Sequence, residues 1–166
     1  MHKKENIDDI KLKNLPDNAL LKHRPDLWDQ WDFEKNDELG LDIWKMTKGS
    51  GRKVNWICSK NHSFATKISH RVDGSNCPYC ANQKLLKGFN DMWTTNPELA
   101  KLLANPEDGY KYMQCSKTKL DWVCPDCRQL VRKKLVYDVK KSGVKCSTCS
   151  DGISYGEKIL SSLLNK

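Results

Sequence analysis

KVNWICSKNHSFATKISHRVDGSNCPYC, residues 53–80, contains four side chains that can hold one metal ion. Cys58 and His62 form a Cys-x3-His pair, Cys77 and Cys80 form a Cys-x2-Cys pair, and 14 residues separate the two pairs. Two ligands on one tight turn can face the same ion, so paired ligands at this spacing predict a tetrahedral zinc site. We call this set site 1.

The interval between the two pairs is predicted to form a β-hairpin. Its apolar residues are Phe64, Ile68 and Val72, and Gly74 lies beside Ser75 and Asn76 at the expected return of the chain.

A second copy of the stretch begins about 66 residues later. Residues 119–124 read KLDWVC, where residues 53–58 read KVNWIC. The ligands of the second copy, which we call site 2, are Cys124, Cys127, Cys146 and Cys149. His70 has no metal-binding counterpart in the second copy, so His62 is the preferred ligand, and Cys115 is left over. The repeat predicts two zinc ions per chain; iron is an alternative at the all-cysteine site 2, although zinc usually binds more tightly than ferrous iron.

The motif resembles a known family. Three elements carry the resemblance: WDxxKN at 31–36, GSxxKVxWxCxxxH at 49–62, and RxxGxxCPYC at 71–80. Together they are similar to the zinc-ribbon or treble-clef repeat of phage and bacterial proteins. The second copy departs from the pattern at Cys127 and at Ser147–Thr148. The resemblance implies small zinc modules, which in related proteins often stand beside a nuclease domain.

The predicted fold class is a small, zinc-stabilised α+β protein, because chains with little apolar surface often need metal to fold. Pro25 and Pro97 suit the first turns of short helices that run through Trp31 and Leu103. Residues 81–95 are predicted to be the linker between the copies. The predicted domains are an N-terminal arm (1–23), module 1 (24–87), module 2 (88–152) and a C-terminal helix (153–166).

The C-terminal helix is predicted from a capping box. Ser154 is a suitable N-cap, and Glu157 stands three residues later. This helix resembles the opening of restriction-endonuclease-like domains that follow zinc ribbons in related proteins. The catalytic carboxylates and lysine of such a domain come later, and this sequence ends at Lys166, so we expect no nuclease activity from the chain as given.

Charge is distributed unevenly along the chain. The formal net charge is +8, but zinc-bound cysteines are thiolates, which lowers this charge by about three. Residues 1–50 hold 9 basic and 11 acidic side chains, whereas residues 51–166 hold 20 and 10. This asymmetry favours contact with a polyanion, and the alternative is a solvated hairpin that its lysines keep soluble. The candidate nucleic-acid-binding residues are Lys60, Lys67, Arg71, Arg132, Lys133, Lys134, Lys140, Lys141 and Lys145.

Nucleic acid, with DNA first, is therefore the predicted partner. Two alternatives remain open: an adaptor that binds a host protein through the acidic and aromatic first quarter, and the DNA-targeting part of a nuclease. Four aromatic residues of that quarter could either stack on bases or belong to the core: Trp28, Trp31, Phe33 and Trp44. Trp56 and Trp122 are expected in the core.

Several functions are not expected. Both metal sites have four protein ligands, as structural zinc sites do, and the sequence has no Walker A motif or nucleophile elbow, so we expect no enzyme activity. No apolar run is long enough to span a membrane and no signal peptide is evident. We therefore expect a cytoplasmic location and reduced cysteines. An even count of eight cysteines leaves a disulfide framework as the alternative.

Overall fold

The computed structural model describes residues 9–149. The chain divides into two compact units, with the boundary between Ala81 and Asn82. Each unit has one two-stranded antiparallel sheet, several short helices and its own hydrophobic core. The predicted small α+β fold class is confirmed.

The first unit begins with short helices and ends with a hairpin and a helix. Its elements are α1 (Asp9–Lys13), α2 (Leu20–His23), a 3-10 helix (Pro25–Gln30), α3 (Phe33–Glu38), a second 3-10 helix (Ile43–Lys45), β1 (Lys53–Ile57), β2 (Ser63–Lys67) and α4 (Ile68–Val72). Strands β1 and β2 pair in register from Lys53–Lys67 to Ile57–Ser63.

Trp56 is the centre of the first core. Side chains alternate across a strand, so Val54 and Trp56 of β1 point to the same side, and both are buried. Trp31 forms an isolated β-bridge with Trp56, and the two rings meet edge to face with centroids 5.4 Å apart. Leu27 and Ile68 belong to the same cluster. Trp31 and Trp56 are therefore core residues, and a role of Trp31 in base stacking is excluded.

The hairpin predicted within residues 63–76 is wrong. The observed hairpin is formed by β1 and β2 and turns at the first ligand pair, whereas the residues after Lys67 form helix α4. The spacing of the apolar residues explains the difference, because Ile68 and Val72 lie four residues apart and so share one face of a helix. Gly74, with a φ of +91°, follows the end of this helix.

The second unit follows the same order of elements. It contains α5 (Met92–Thr95), α6 (Pro97–Ala100), α7 (Asp108–Lys111), β3 (Lys119–Val123), β4 (Leu130–Leu135) and α8 (Val136–Ser142). Trp122 is fully buried in its core, as expected, and Leu103 forms a β-bridge with it. The register of β3 and β4 shifts between Leu120 and Trp122, which indicates a β-bulge.

Three local predictions need correction. The segment after Pro25 is a 3-10 helix that ends at Gln30, and the helix that starts at Pro97 ends at Ala100. The predicted linker 81–95 is ordered in its second half, because Asp91 is buried and its side chain accepts a hydrogen bond from the backbone N–H of Thr94 at the start of α5. This cap makes the end of the predicted linker part of the second core.

Two predictions lie partly or wholly outside the described residues. The C-terminal helix at 153–166, with Ser154 and Glu157, is one of them. The first eight residues of the predicted arm are the other. Among the helices that the structure does describe, none combines the length and the apolar character needed to cross a bilayer.

Candidate metal centres

The first ligand pair of site 1 lies on the turn between β1 and β2. The backbone N–H of Cys58 donates to the carbonyl of His62 over 3.1 Å, and the N–H of Asn61 donates to the carbonyl of Cys58 over 2.8 Å. Asn61 has a φ of +60°, a left-handed conformation that asparagine tolerates better than most residues. These bonds close a tight turn and bring the two ligands to the same side.

The second pair lies on the turn that follows α4. The N–H of Ala81 donates to the carbonyl of Cys77 over 3.0 Å, so residues 77–81 form a single helical turn. The Nδ1 atom of His62 is 3.3 Å from the sulfur of Cys80 and 3.7 Å from that of Cys77, and the sulfurs of Cys58 and Cys80 are 3.9 Å apart. Site 1 therefore brings together one nitrogen and three sulfurs.

Site 2 is built in the same way from the second hairpin. The N–H of Cys124 donates to the carbonyl of Gln129 over 2.9 Å, and that of Cys149 donates to the carbonyl of Cys146 over 3.1 Å. Sulfur–sulfur distances are 3.9 Å for Cys124 and Cys149 and 3.6 Å for Cys127 and Cys146.

Both groups have the geometry of zinc ligands. The ligand atoms within each group lie within 4.8 Å of one another. Zn–S bonds of ~2.3 Å in a tetrahedron place the sulfurs ~3.8 Å apart, close to the distances observed here. A disulfide has an S–S length of about 2.05 Å, and the eight cysteines, all within the described residues, are free. The prediction of two zinc ions is confirmed by these two groups.

The thiols in each group would differ in acidity without a metal. The backbone N–H of Thr148 is the main influence that lowers the pKa of Cys146, to about 7, against the opposing effect of burial. Contact with Cys127, followed by burial, raises the pKa of Cys149 to about 12. In site 1, burial and then the neighbouring thiols raise the pKa of Cys80 to about 11. The cysteines of one site cannot all ionise together unless a cation offsets their charge.

Two other potential metal ligands lie outside both sites. His70 is exposed on α4, whereas His62 is the histidine grouped with the three cysteines. Cys115 is exposed and belongs to neither group. These positions agree with the assignment made from the repeat.

Most of the predicted basic residues are exposed, but Arg71 is not. The exposed ones are Lys60, Lys67, Arg132, Lys133, Lys134, Lys140, Lys141 and Lys145. Arg71 is 4% exposed, and its guanidinium donates to the carbonyl of Ser75 and to the side-chain oxygen of Gln30. Arg71 is therefore not part of a nucleic-acid surface. The helical spacing of Ile68, Arg71 and Val72 could have indicated that Arg71 faces the core.

Sequence reasoning also missed two polar residues that support the sites. Gln129 accepts a hydrogen bond from the hydroxyl of Thr148, between the site 2 ligands Cys146 and Cys149. Asn36 is fully buried and bonds to the backbone of β1, which leads to Cys58. Gln129 carried no signal in the sequence, whereas Asn36 is the last residue of the WDxxKN element.

Comparison with known proteins supports site 1. Residues 27–83 match a family model described as "Probable Treble clef zinc finger domain", and this range contains all four ligands of site 1. The ligands of site 2 lie outside the matched residues, so the assignment of zinc to site 2 depends on the geometry of that site. No curated protein matches the chain.

Proposed function

We propose that this zinc-binding protein binds nucleic acid, with DNA as the first candidate, through a basic loop in its second unit. We define the basic loop as residues 128–145, between the two ligand pairs of site 2. It contains seven basic side chains and one acidic side chain, Asp138. In the first unit, the corresponding interval 63–76 contains only Lys67 and Arg71 as lysine or arginine, and Arg71 is buried.

The observation that carries this proposal is the lack of acidic partners in the basic loop. All seven of its cations are exposed, and six of them are candidate nucleic-acid-binding residues: Arg132, Lys133, Lys134, Lys140, Lys141 and Lys145. Among the described residues, no carboxylate lies within ion-pair distance of any of these six, whereas lysines elsewhere pair with neighbouring acids, such as Lys101 with Glu98 at 2.6 Å. Exposed cations without acidic partners can neutralise phosphates and release counterions.

The fold holds part of this charge in place. The bulge in β4 sets Arg132 and Lys133 opposite Asp121, whose carboxylate accepts a hydrogen bond of 2.8 Å from the backbone N–H of Lys133. Bulges bend a strand and redirect its side chains, and Lys133 has a left-handed φ of +53°. A rigid hairpin anchored by a metal is a suitable platform for phosphate contacts, which position a protein without reading bases.

Fluorescence anisotropy tests the proposal directly. Zinc-loaded protein is titrated into labelled single- and double-stranded DNA and RNA oligomers at low salt, and the titration is repeated as salt is raised. We expect binding that weakens steeply with salt, because counterion release supplies its free energy. No binding to any of the four polymers at low salt would refute the proposal.

A protein partner is the second candidate, and an aromatic cluster in the first unit favours it. The Trp28 ring centroid is 4.8 Å from that of Phe33 and 5.3 Å from that of Trp44. All three side chains are only partly buried, and Leu39 nearby in sequence is 61% exposed. If nucleic acid does not bind, a host-protein adaptor that uses this cluster becomes the working hypothesis. A nuclease-targeting role depends on residues after 149 and stays a prediction.

We also propose that the two units are copies of one module. The N–H of Ile68 donates to the carbonyl of Arg52 and that of Val136 to the carbonyl of Thr118, so both helices begin at the same point of their hairpins. The indole N–H of each core tryptophan donates to a carbonyl of the paired strand, 3.3 Å away for Trp56 and 3.1 Å for Trp122.

A further inference from the structure

Arg71 is the one buried cationic side chain in the part of the chain that the structure describes. It lies on α4, and its guanidinium carbon is 5.6 Å from the centroid of the Trp56 ring and 5.8 Å from that of Phe64. Burying a charge is costly unless an opposite charge or a full set of hydrogen bonds offsets the loss of water. Its surroundings should therefore show what offsets this charge.

Hydrogen bonds offset the cost only in part. The guanidinium donates to two neutral acceptors, the Ser75 carbonyl and the Gln30 amide oxygen, and its Nε–H has no partner. Among the described residues, no carboxylate lies within the 4.0 Å that defines an ion pair with Arg71. A buried charge with neutral partners alone would strongly destabilise the unit. Any compensating negative charge among the described residues therefore lies beyond ion-pair distance.

Site 1 is a source of negative charge beside Arg71 when it holds zinc. Arg71 lines the same cavity as Cys58, Cys77 and Cys80. Three thiolates and a neutral histidine around Zn²⁺ carry a net charge of about −1. Burial is the main influence that lowers the pKa of Arg71, and the negative charges of Asp26, Cys77 and Cys58 act in the opposite direction.

We propose that Arg71 is the counter-charge of site 1, so that zinc binding and the burial of this arginine stabilise each other. With zinc bound, the ion, its four ligands and Arg71 are together neutral. Without zinc, protonated thiols would remove the contribution of site 1 to offsetting the buried arginine. Arg71 is a positioning and charge-balancing residue, since it is not one of the metal ligands.

The second unit shows what a site without this residue looks like. Helices α4 and α8 start at equivalent points, so Val139 stands where Arg71 does, and it is also buried. Site 2 has four cysteines and a net charge of about −2 with zinc, yet the described residues of this unit include no buried cation. The loss of Arg71 should therefore weaken zinc binding at site 1 alone.

The test compares Arg71→Met, which keeps a long side chain without charge, with Arg71→Lys, which keeps the charge. Zinc affinity is measured on the full chain by competition with a chromophoric chelator, and Cys80→Ser identifies which ion belongs to site 1. We expect Arg71→Met to lower the affinity for one of the two zinc ions by about 10- to 100-fold. Changes around metal ligands commonly have effects of this size. Arg71→Lys should keep most of the wild-type affinity for zinc. Wild-type affinity in Arg71→Met, or equal damage in both variants, would overturn the proposal.

A second experiment separates charge from packing. Cys80 is exposed, so Cys80→His can convert site 1 to two cysteines and two histidines with no net charge when zinc is bound. In that background Arg71→Met should cost less affinity than it does in wild type, whereas an equal cost would show a packing role only.

With Co²⁺ in place of zinc, Arg71→Met should move the sulfur-to-cobalt charge-transfer band to lower energy. An unmoved band would also contradict the proposal.

Discussion

Asn36 forms reciprocal hydrogen bonds with the backbone of Asn55. Its Oδ1 accepts from the N–H of Asn55 over 2.9 Å, and its Nδ2 donates to the carbonyl of Asn55 over 2.8 Å. One side-chain amide thus satisfies both backbone groups of a residue in the middle of β1. Because Asn36 is fully buried, this pair ties α3 to the strand that leads into site 1.

Asn36→Asp should destabilise the first unit by about 1–3 kcal/mol, because the carboxylate keeps the acceptor but faces the Asn55 carbonyl without a donor. Urea unfolding of the zinc-loaded protein measures the change. Asp37→Asn is the control, since Asp37 is exposed on the same helix and its substitution should stay within about 0.5 kcal/mol. Equal stability of the two variants would show that the amide bonds contribute nothing.

A close contact in the second unit gives a second prediction. A Cβ atom on Gly109 would overlap the indole of Trp93, whose N–H donates to the carbonyl of Pro106 over 2.8 Å. Gly109→Ala should therefore displace this ring and destabilise the unit by about 1–3 kcal/mol. Gly49→Ala is the control, because a Cβ there would meet no atom within 4 Å. Thermal unfolding of both variants measures the difference, and a neutral Gly109→Ala would contradict the packing described for α5 and α7.

The acidity of the site 2 thiols predicts how zinc affinity depends on pH. Zinc must displace the protons of its ligands, so affinity should rise with pH and be lost on acidification. The pKa of Cys146 is lowered to about 7 by the Thr148 N–H, so above that pH one fewer proton has to leave. The slope of log affinity against pH should therefore become shallower above about pH 7. Chelator competition from acidic to mildly alkaline pH tests this, and affinity that is flat or falls with pH would contradict it.

Three residues of the basic loop give the sharpest test of the nucleic-acid proposal. Replacing Arg132, Lys133 and Lys134 together by glutamine removes three exposed cations that are not zinc ligands. If all three contact phosphates, the dependence of log affinity on log salt should become less steep by roughly three units of slope. The loss should be similar for different base sequences, because phosphate contacts do not read bases.

The matched control changes net charge equally at other exposed lysines of the same unit. Lys101, Lys111 and Lys117 lie outside the basic loop and are all exposed. Their combined replacement by glutamine should leave the salt slope close to that of wild type. If this control weakens binding as much as the loop variant does, binding depends on overall charge and the assignment to the basic loop is wrong.

The metal ligands were predictable because each pair is local. Cys77 and Cys80 lie on one turn, so their spacing alone sets their geometry, and the second copy removed the ambiguity between His62 and His70. The core positions of Trp56 and Trp122 were likewise predicted from their place two residues before the first ligand of each copy. These features depend on neighbours within a few residues along the chain.

What the sequence did not reveal depends on distant partners. The Ile68–Val72 segment contains β-branched residues and precedes a glycine, so its local preferences also suit a hairpin. Packing of the segment against the core stabilises the helix instead. The burial of Arg71 depends on Gln30, 41 residues away, and the bonds of Asn36 reach across 19 residues to Asn55. Helical spacing could have indicated that Arg71 faces the core, but no short-range pattern identifies the distant partner of either residue.

Native mass spectrometry of the purified chain, combined with elemental analysis, tests the central claim most directly. The account predicts two Zn²⁺ per chain in wild type and in Cys115→Ser, because Cys115 belongs to neither group of ligands. Cys80→Ser and Cys149→Ser should each lose one ion, from site 1 and site 2 respectively. A single ion in the wild-type chain, iron in place of zinc, or loss of zinc in Cys115→Ser would contradict the account.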